Sequence, residues 1–190
     1  MADFDRQKKV IDMMLTAHSV LRDKYLSLSS FFENFLLIAA AILNAFVFID
    51  VAFITKMTNL NEEHQKLIIG IASIIVFAIS VVLLQVKWKE KAENHERATG
   101  TLFALLQESR QIKNMQDGII KDNAIEEFEK KYASSLEGIV KIPERKFNSL
   151  KLIHCRKIEL SKLIDKHPGS RLFILKIKLL FSSFKKKPHF

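Results

Sequence analysis

Cysteine, glycine and proline are all scarce in this chain of 190 residues, and the scarcity excludes several classes of protein. The single cysteine, Cys155, rules out a disulfide framework within the chain and fits a reducing, cytosolic compartment. The five glycines stand apart from one another, which excludes a glycine-rich loop of the kind that cradles phosphate. No run of alternating apolar and polar residues is long enough to predict a strand, so we expect an all-α protein.

Patterns of catalytic or metal-ligating residues are also missing from the sequence. No two of the six histidines are three or four residues apart, so no helix presents a histidine pair to a metal. Cys155 directly follows His154, but no local signature marks it as a nucleophile. We therefore expect no enzymatic activity, no catalytic residues, no cofactor and no metal site.

Two long apolar runs, Asn34–Phe53 and Leu67–Val86, dominate the first half of the chain. About twenty helical residues extend about 30 Å, which is the thickness of the hydrocarbon core of a bilayer. The second run has no charged residue and no polar face to turn towards water. A pair of core helices in a soluble bundle is the alternative, but such helices keep a polar stripe. The runs therefore predict a membrane protein with two spans.

Lysine and arginine near the runs predict how the spans are oriented. Five of these residues precede the first run within residues 6–24, and four follow the second run within residues 87–97. The connecting loop has only Lys56 and Lys66. Because positive residues stay on the cytoplasmic side, we expect both termini in the cytosol and the short loop outside.

Apolar residues at heptad spacing flank the two runs on the expected cytosolic side. One seam runs from Ile11 through His18 to Phe32, and another starts at Trp88 and includes His95. We expect the two seams to pack against each other, with Trp88 at the membrane interface. His18 and His95 are then interior histidines that hydrogen-bond across helices. A pH-sensitive contact is the alternative for this pair.

These features divide the chain into four regions. We expect an N-terminal amphipathic cytosolic helix over residues 1–30, a transmembrane hairpin over 31–88, a cytosolic helical region over 89–142 and a basic helical tail over 143–190. Helices are predicted over 119–132, 145–166 and 171–184. A soft break is possible at residues 27–30, and none is expected after the second span. The predicted fold is an all-α membrane protein, a two-span transmembrane helical hairpin with long cytosolic helices in a homo-oligomeric bundle.

Polar residues in and beside the apolar runs are the candidates for function, because a polar side chain at membrane depth usually faces protein or water. One hairpin cannot enclose a pore, so a channel needs several subunits, in which rings of acids would favour cations. Small residues such as Gly70 would let helices approach closely. Alternatively, Asn44 only joins helices and the acids lie in the wet interfaces. The pore or mouth candidates are Glu33, Asn44, Asp50, Ser73 and Ser80, and the constriction candidates are Phe46 and Phe48.

The positive charge of the chain is concentrated in its last fifty residues. The net charge of +9 divides into −2 for residues 1–140 and +11 for residues 141–190. Residues 171–184 interleave lysines with apolar residues and are too short to span a bilayer, as is typical of interfacial helices. This pattern favours anionic lipid over nucleic acid. The basic candidates for the membrane surface are Lys176, Lys178, Lys185, Lys186 and Lys187.

The stretch from Trp88 to Ile112, WKEKAENHERATGTLFALLQESRQI, has an A-x-x-H-x-x-A rhythm at Ala92, His95 and Ala98. In this stretch and in its order of elements, the chain resembles the SLATT domain over roughly residues 5–142. SLATT domains are two-transmembrane effectors of bacterial nucleotide-signalling conflict systems. The resemblance implies a multi-pass protein of the bacterial inner (cytoplasmic) membrane that acts in antiphage defence and opens a pore when infection is sensed. It brings no catalytic residues. No fused sensor domain is recognisable, so an upstream sensor or signal-producing protein is an expected partner.

We therefore expect a membrane effector that homo-oligomerises into a gated ion pore, with the lipid bilayer and further copies of itself as partners. The alternative is a non-conducting membrane anchor whose basic tail recruits a protein, nucleic acid or anionic lipid.

Overall fold

The structure, a computed structural model, describes residues 2–48, 61–115 and 118–185, with side chains over 3–46, 61, 63–115 and 122–180. Within these ranges the regular structure is entirely helical and no strand occurs. The all-α prediction is therefore confirmed for the part of the chain that is described. The helices are α1 (Ala2–Phe48), α2 (Glu62–Val86), α3 (Trp88–Lys113), α4 (Gly118–Glu137), α5 (Glu144–Lys166) and α6 (Leu172–Lys185).

Helix α1 continues without a break from the N-terminal seam into the first apolar run. Its sequence contains neither glycine nor proline, the two residues that weaken helical hydrogen bonding most, and the helix continues through residues 27–30. Asp3 and Asp5 lie in the first turn, where their negative charge is favourable beside the positive end of the helix dipole. One long helix is thus the lowest-energy form of this segment.

Helices α2 and α3 are separated by a single residue, which the sequence pattern did not predict. Lys87 has φ 51° and ψ 50°, the left-handed conformation, at a cost of about 1–2 kcal/mol for a residue with a side chain. The Lys87 N–H still reaches the Leu83 carbonyl oxygen at 3.4 Å, and the Lys91 N–H reaches the Lys87 carbonyl oxygen at 3.1 Å. These two hydrogen bonds connect the backbone on both sides of the break. The prediction of an unbroken helix here is wrong.

Most ends of the later helices lie within one residue of the predicted ends. Helix α4 extends to Glu137, five residues beyond the predicted end, whereas α5 and α6 agree with the predictions within one residue. Pro143 stands just before α5, and His167, just before Pro168, ends it. Proline disfavours helical conformation in the residue before it, which explains why this boundary was readable from the sequence.

The described residues form two compact units, and each is treated separately below. The core unit comprises the described residues of Met1–Val20 and Glu96–Phe190, and the hairpin unit comprises those of Leu21–His95. This grouping follows contacts between helices rather than order along the chain. The four regions predicted from the sequence stay a prediction.

The core unit has a continuous apolar core contributed by α1, α3 and α4. The two seams predicted to pack together share this core, which confirms their packing within the unit. Phe4 and Phe128 meet edge to face with ring centroids 5.3 Å apart, and Phe128 stacks on Tyr132. Burial, with a smaller effect of the Asp3 carboxylate, raises the pKa of the Tyr132 phenol above its usual range. The buried core residues are Phe4, Ile11, Leu102, Leu105, Leu106, Ile112 and Phe128.

A buried hydrogen bond connects α5 with α1 in the same unit. The Thr16 hydroxyl donates to the Asp12 carbonyl oxygen at 3.0 Å, so its oxygen is free to accept a hydrogen bond from His154 Nδ1, also at 3.0 Å. Thr16 is 5% exposed and His154 is 8% exposed. Because both side chains are buried, each depends on a hydrogen-bond partner within the protein. The pair therefore links two helices that are far apart in sequence. Helix α5 also packs against α6.

Candidate functional site in the hairpin unit

Helices α1 and α2 are long enough and apolar enough to cross a membrane. Their apolar stretches are nevertheless almost fully exposed. In the most apolar segment of α1, 6% of the residues are buried within the chain, and in the corresponding segment of α2 0% are buried. Leu37, Ile74, Phe77 and Leu84 are each about 70% exposed or more. A core helix of a soluble bundle would be mostly buried, whereas the described parts of these two helices are not buried by their own chain.

A polar cluster lies at the end of the hairpin unit where α1 meets the junction of α2 and α3. Glu33 Oε1 accepts a hydrogen bond from the Ser29 hydroxyl at 2.8 Å and an ion pair from Lys89 Nζ at 2.9 Å. Lys87 Nζ pairs with Glu90 at 3.0 Å on the same junction. Both pairs are half exposed, so each adds little to stability, but together they hold two lysines and two acids in one place.

An open groove of ≈ 450 Å³ lies beside this cluster. Polar side chains occupy one end, and leucines continue the wall along the apolar helices. The groove therefore passes from charged to apolar surface over a short distance, as the interface of a bilayer does. Its lining residues are Ser29, Glu33, Leu36, Ser80, Leu83, Leu84, Lys87, Trp88 and Lys89.

Aromatic contacts position the junction against α1. The Phe32 and Trp88 rings lie 5.0 Å apart, and Tyr25 stacks on His95 at 5.6 Å with the two rings 4° from parallel. The earlier residue of α1 contacts the later residue of α3, so the two segments run antiparallel. This arrangement places the inner end of the first apolar run beside the end of the second, as the hairpin prediction requires.

The three polar candidates within the described apolar helices have different surroundings. Asn44 is exposed in α1. Ser73 and Ser80 lie on one face of α2, and their hydroxyls donate to the carbonyl oxygens of Ile69 and Val76, each at 2.9 Å. Each hydroxyl proton is thus used within the helix, while the oxygen lone pairs remain available to an external cation or donor.

Glu33 and Asn44, two of the pore or mouth candidates, lie eleven residues apart on α1. The Glu33 carboxylate is held by Ser29 and Lys89. Phe46 is 39% exposed in α1. Asp50, Lys186 and Lys187 lie outside the described residues, as do the side chains of Phe48 and Lys185, so their roles stay predictions.

The helix-packing candidates are placed in both units. His95 is buried against Tyr25 and Trp88 is half-buried against Phe32, both in the hairpin unit. His18 is fully buried in the core unit. The hydrogen bonds across helices that we expected for these two histidines stay a prediction.

Sequence reasoning missed the partnership of Glu33 with Lys89 and Ser29. A signal for it was present, because Glu33 directly precedes the first apolar run and Lys89 closely follows the second. An antiparallel hairpin brings such flanking residues together, and their charges are opposite. The left-handed Lys87 had no comparable signal, since lysine is not a residue that favours positive φ.

Comparison with known proteins identifies no relative: no family model matches the chain, and no curated protein or solved structure is significantly similar to it. Among the described side chains, no three histidine, cysteine, aspartate or glutamate residues form a group that could hold a metal ion. The functional assignment therefore depends on the chain's own residues.

Proposed function

We propose that this chain is a two-span membrane effector that homo-oligomerises into a gated, cation-favouring ion pore. The observation that carries this proposal is the bare apolar surface of α1 and α2. Apolar surface left in water costs about 25 cal/mol per Å², so a surface of this extent needs lipid or further copies of the chain to cover it. The resemblance to SLATT effectors supports antiphage defence at the bacterial inner membrane, and the lysine and arginine residues beside the apolar runs support a cytoplasmic location of both termini.

Oligomerisation is supported by the face of α2 that carries Gly70, Ser73 and Ser80. A side-chain carbon placed on Gly70 would meet no atom within 4 Å, so the described residues leave this face open at Gly70, although Ser80 lines the groove beside α1. Small residues allow close helix approach in lipid, where packing rather than the hydrophobic effect drives association. A second copy of the hairpin is the partner that this face suits.

Cation preference is supported by the oxygen atoms that the helices present. Asn44 offers an amide oxygen, and Ser73 and Ser80 keep free lone pairs on their hydroxyl oxygens. In a ring of subunits such oxygens replace part of the hydration shell of a cation. Glu33 would lie at the inner mouth, where its ion pair with Lys89 links the mouth to α3 and offers a contact that gating could break.

The experiment is reconstitution of the full chain in liposomes, preceded by a particle-mass measurement in detergent. We expect an oligomer and a K⁺ flux that exceeds the Cl⁻ flux. The flux is measured with and without lysate of infected cells, which serves as the source of a trigger. Asn44→Asp should raise the K⁺ preference several-fold, whereas the matched change Asn114→Asp, at an exposed position of the core unit, should not. A monomeric particle, or an oligomer without flux in either condition, would contradict the pore.

A non-conducting anchor is the second candidate, and the exposed lysines of α6 favour it. Lys176 and Lys178 are exposed beside exposed apolar residues, so the tail has a surface suited to recruitment. Binding of the tail to anionic vesicles without any ion flux is the result that would support the anchor over the pore.

A further inference from the structure

Helix α6 has two apolar faces, and the described residues cover only one of them. Leu175 is 3% exposed, and the helix packs against α5. Phe173, Ile177 and Leu180 recur at spacings of four and three, and Ile174 lies beside them, so the four share the side of the helix away from Leu175. Their exposed fractions, in the order Phe173, Ile174, Ile177 and Leu180, are 72%, 56%, 38% and 50%. We call these four residues the outer stripe.

Two lysines border the outer stripe. At 100° per residue, Lys176 and Lys178 lie on opposite flanks of the stripe, and both are exposed. Lysine stems can lie along apolar surface while the ammonium group stays at a polar boundary. An apolar stripe with a lysine on each flank is typical of a helix that lies in the plane of a membrane interface.

We propose that α6 docks through the outer stripe on the anionic surface of the bilayer that holds α1 and α2. Charge complementarity selects this occupant, because residues 141–190 have a net charge of +11 and the cytoplasmic leaflet carries anionic lipid. A second copy of α6 is a poorer occupant, since two such stripes would bring lysines of both copies together. The fourteen residues of α6 are too few to span, so the helix lies on the surface.

This inference depends on the bilayer location in the proposed function but not on the pore. Its test uses the full chain in liposomes with a polarity-sensitive fluorophore on one cysteine at a time. Cys155 is the sole cysteine and is exposed on α5, so it serves as the native control position. In a Cys155→Ser background, Ile177→Cys reports on the outer stripe and Ile74→Cys reports on the span.

The expected result is a blue-shifted label at residue 177, quenched by brominated lipid, in liposomes that contain phosphatidylglycerol. The shift should weaken in phosphatidylcholine alone and at high salt, because screening reduces attraction to anionic headgroups. The label at residue 74 should be quenched in both liposomes, and the label on Cys155 should be quenched less than the label at residue 177 in both.

The outcomes separate the two proposals. If residue 74 is quenched and residue 177 stays in water, the docking of α6 is wrong and the bilayer location stands. If residue 74 is in water as well, the bilayer location itself fails. If the Ile177→Cys chains instead crosslink to one another through residue 177 in the liposomes under oxidising conditions, a second copy covers the stripe and docking on lipid is overturned.

The lysines provide an independent measurement. Lys176→Gln and Lys178→Gln should each lower the ratio of docked to free tail about fivefold in anionic liposomes. The matched double change Lys9→Gln with Arg110→Gln removes two exposed cations of the core unit and should leave the ratio unchanged. If the Lys9 and Arg110 double change lowers the ratio as much as the changes at Lys176 and Lys178 do, only the net charge of the chain matters. That result would overturn the specific role of α6.

Discussion

Phe128 and Phe77 are both phenylalanines in the middle of a helix, but Phe128 is fully buried and Phe77 is 70% exposed. The first lies in the core unit, where α1, α3 and α4 cover one another. The second lies in the hairpin unit, where the chain covers almost nothing of its most apolar helix. The comparison shows that the chain buries its own apolar side chains in the core unit and leaves those of the hairpin unit exposed.

The largest effect is expected from removing a core side chain in the core unit. Phe128→Ala should lower the free energy of unfolding by about 3–5 kcal/mol, because the lost ring leaves a cavity against Phe4. The matched change Phe103→Ala, at a side chain 51% exposed on α3, should cost far less. Protease resistance of the helices of the core unit on heating measures both losses. Equal losses would show that the core lies elsewhere.

The next largest effect is expected from a charge on the bare helix. Phe77→Arg should disfavour membrane insertion of α2 by about 2.5–3.5 kcal/mol, because a charge at the helix centre must enter lipid. Phe103→Arg makes the same chemical change on an exposed position of the core unit and should leave insertion intact. Alkaline extraction of membranes measures the inserted fraction. Full retention of the Phe77 variant would argue that α2 does not lie in lipid.

The link between α5 and α1 should give an intermediate effect. Thr16→Val keeps the shape of the side chain but leaves buried His154 Nδ1 without its acceptor, at a cost of about 1–3 kcal/mol. Thr101→Val removes the same kind of hydroxyl-to-backbone bond at an exposed site, where water replaces it, and should be nearly neutral. Hydrogen exchange of α5 amides separates the two variants. Unchanged protection in the Thr16 variant would remove this link from the core unit.

The smallest effect concerns the break between α2 and α3. Lys87→Gly relieves about 1–2 kcal/mol of left-handed strain and adds about 0.5–1 kcal/mol of unfolded-state entropy, so it should be neutral or slightly stabilising. Lys91→Gly, inside α3, should be destabilising by about 1 kcal/mol. Thermal melts of the two variants in one detergent give the comparison. The same loss in both would mean that residue 87 is helical.

Much of the helical content was predictable because its causes are local. The 3.6-residue periodicity, the absence of glycine and proline from α1 and the proline after α5 depend on neighbours within a few residues. The packing of the two seams was predictable too, since heptad spacing identifies the faces that must be buried. The end of α4 was missed by five residues, because its last turn has no strong stop signal before Gly138.

The candidate site was less predictable. Glu33 was identified as a polar residue beside the first run, but its partners were not, because the pair with Lys89 joins residues more than fifty positions apart. Ser73 and Ser80 were identified as polar residues of the second run, but the hydrogen bonds from their hydroxyls to the Ile69 and Val76 carbonyl oxygens depend on a side-chain rotamer that periodicity does not encode.

The sequence by itself determined that the described part of this protein is helical and that two of its helices have apolar stretches as long as a bilayer is thick. It also determined that the net positive charge lies in the last fifty residues. Each of these is a property of composition and spacing. Only the tertiary structure decided that the Glu33 carboxylate meets Lys89, that Thr16 accepts from His154 across 138 positions and that the outer stripe of α6 stays uncovered. The reason is physical. Burial and pairing depend on which surfaces the folded chain brings together, and no local pattern contains that information.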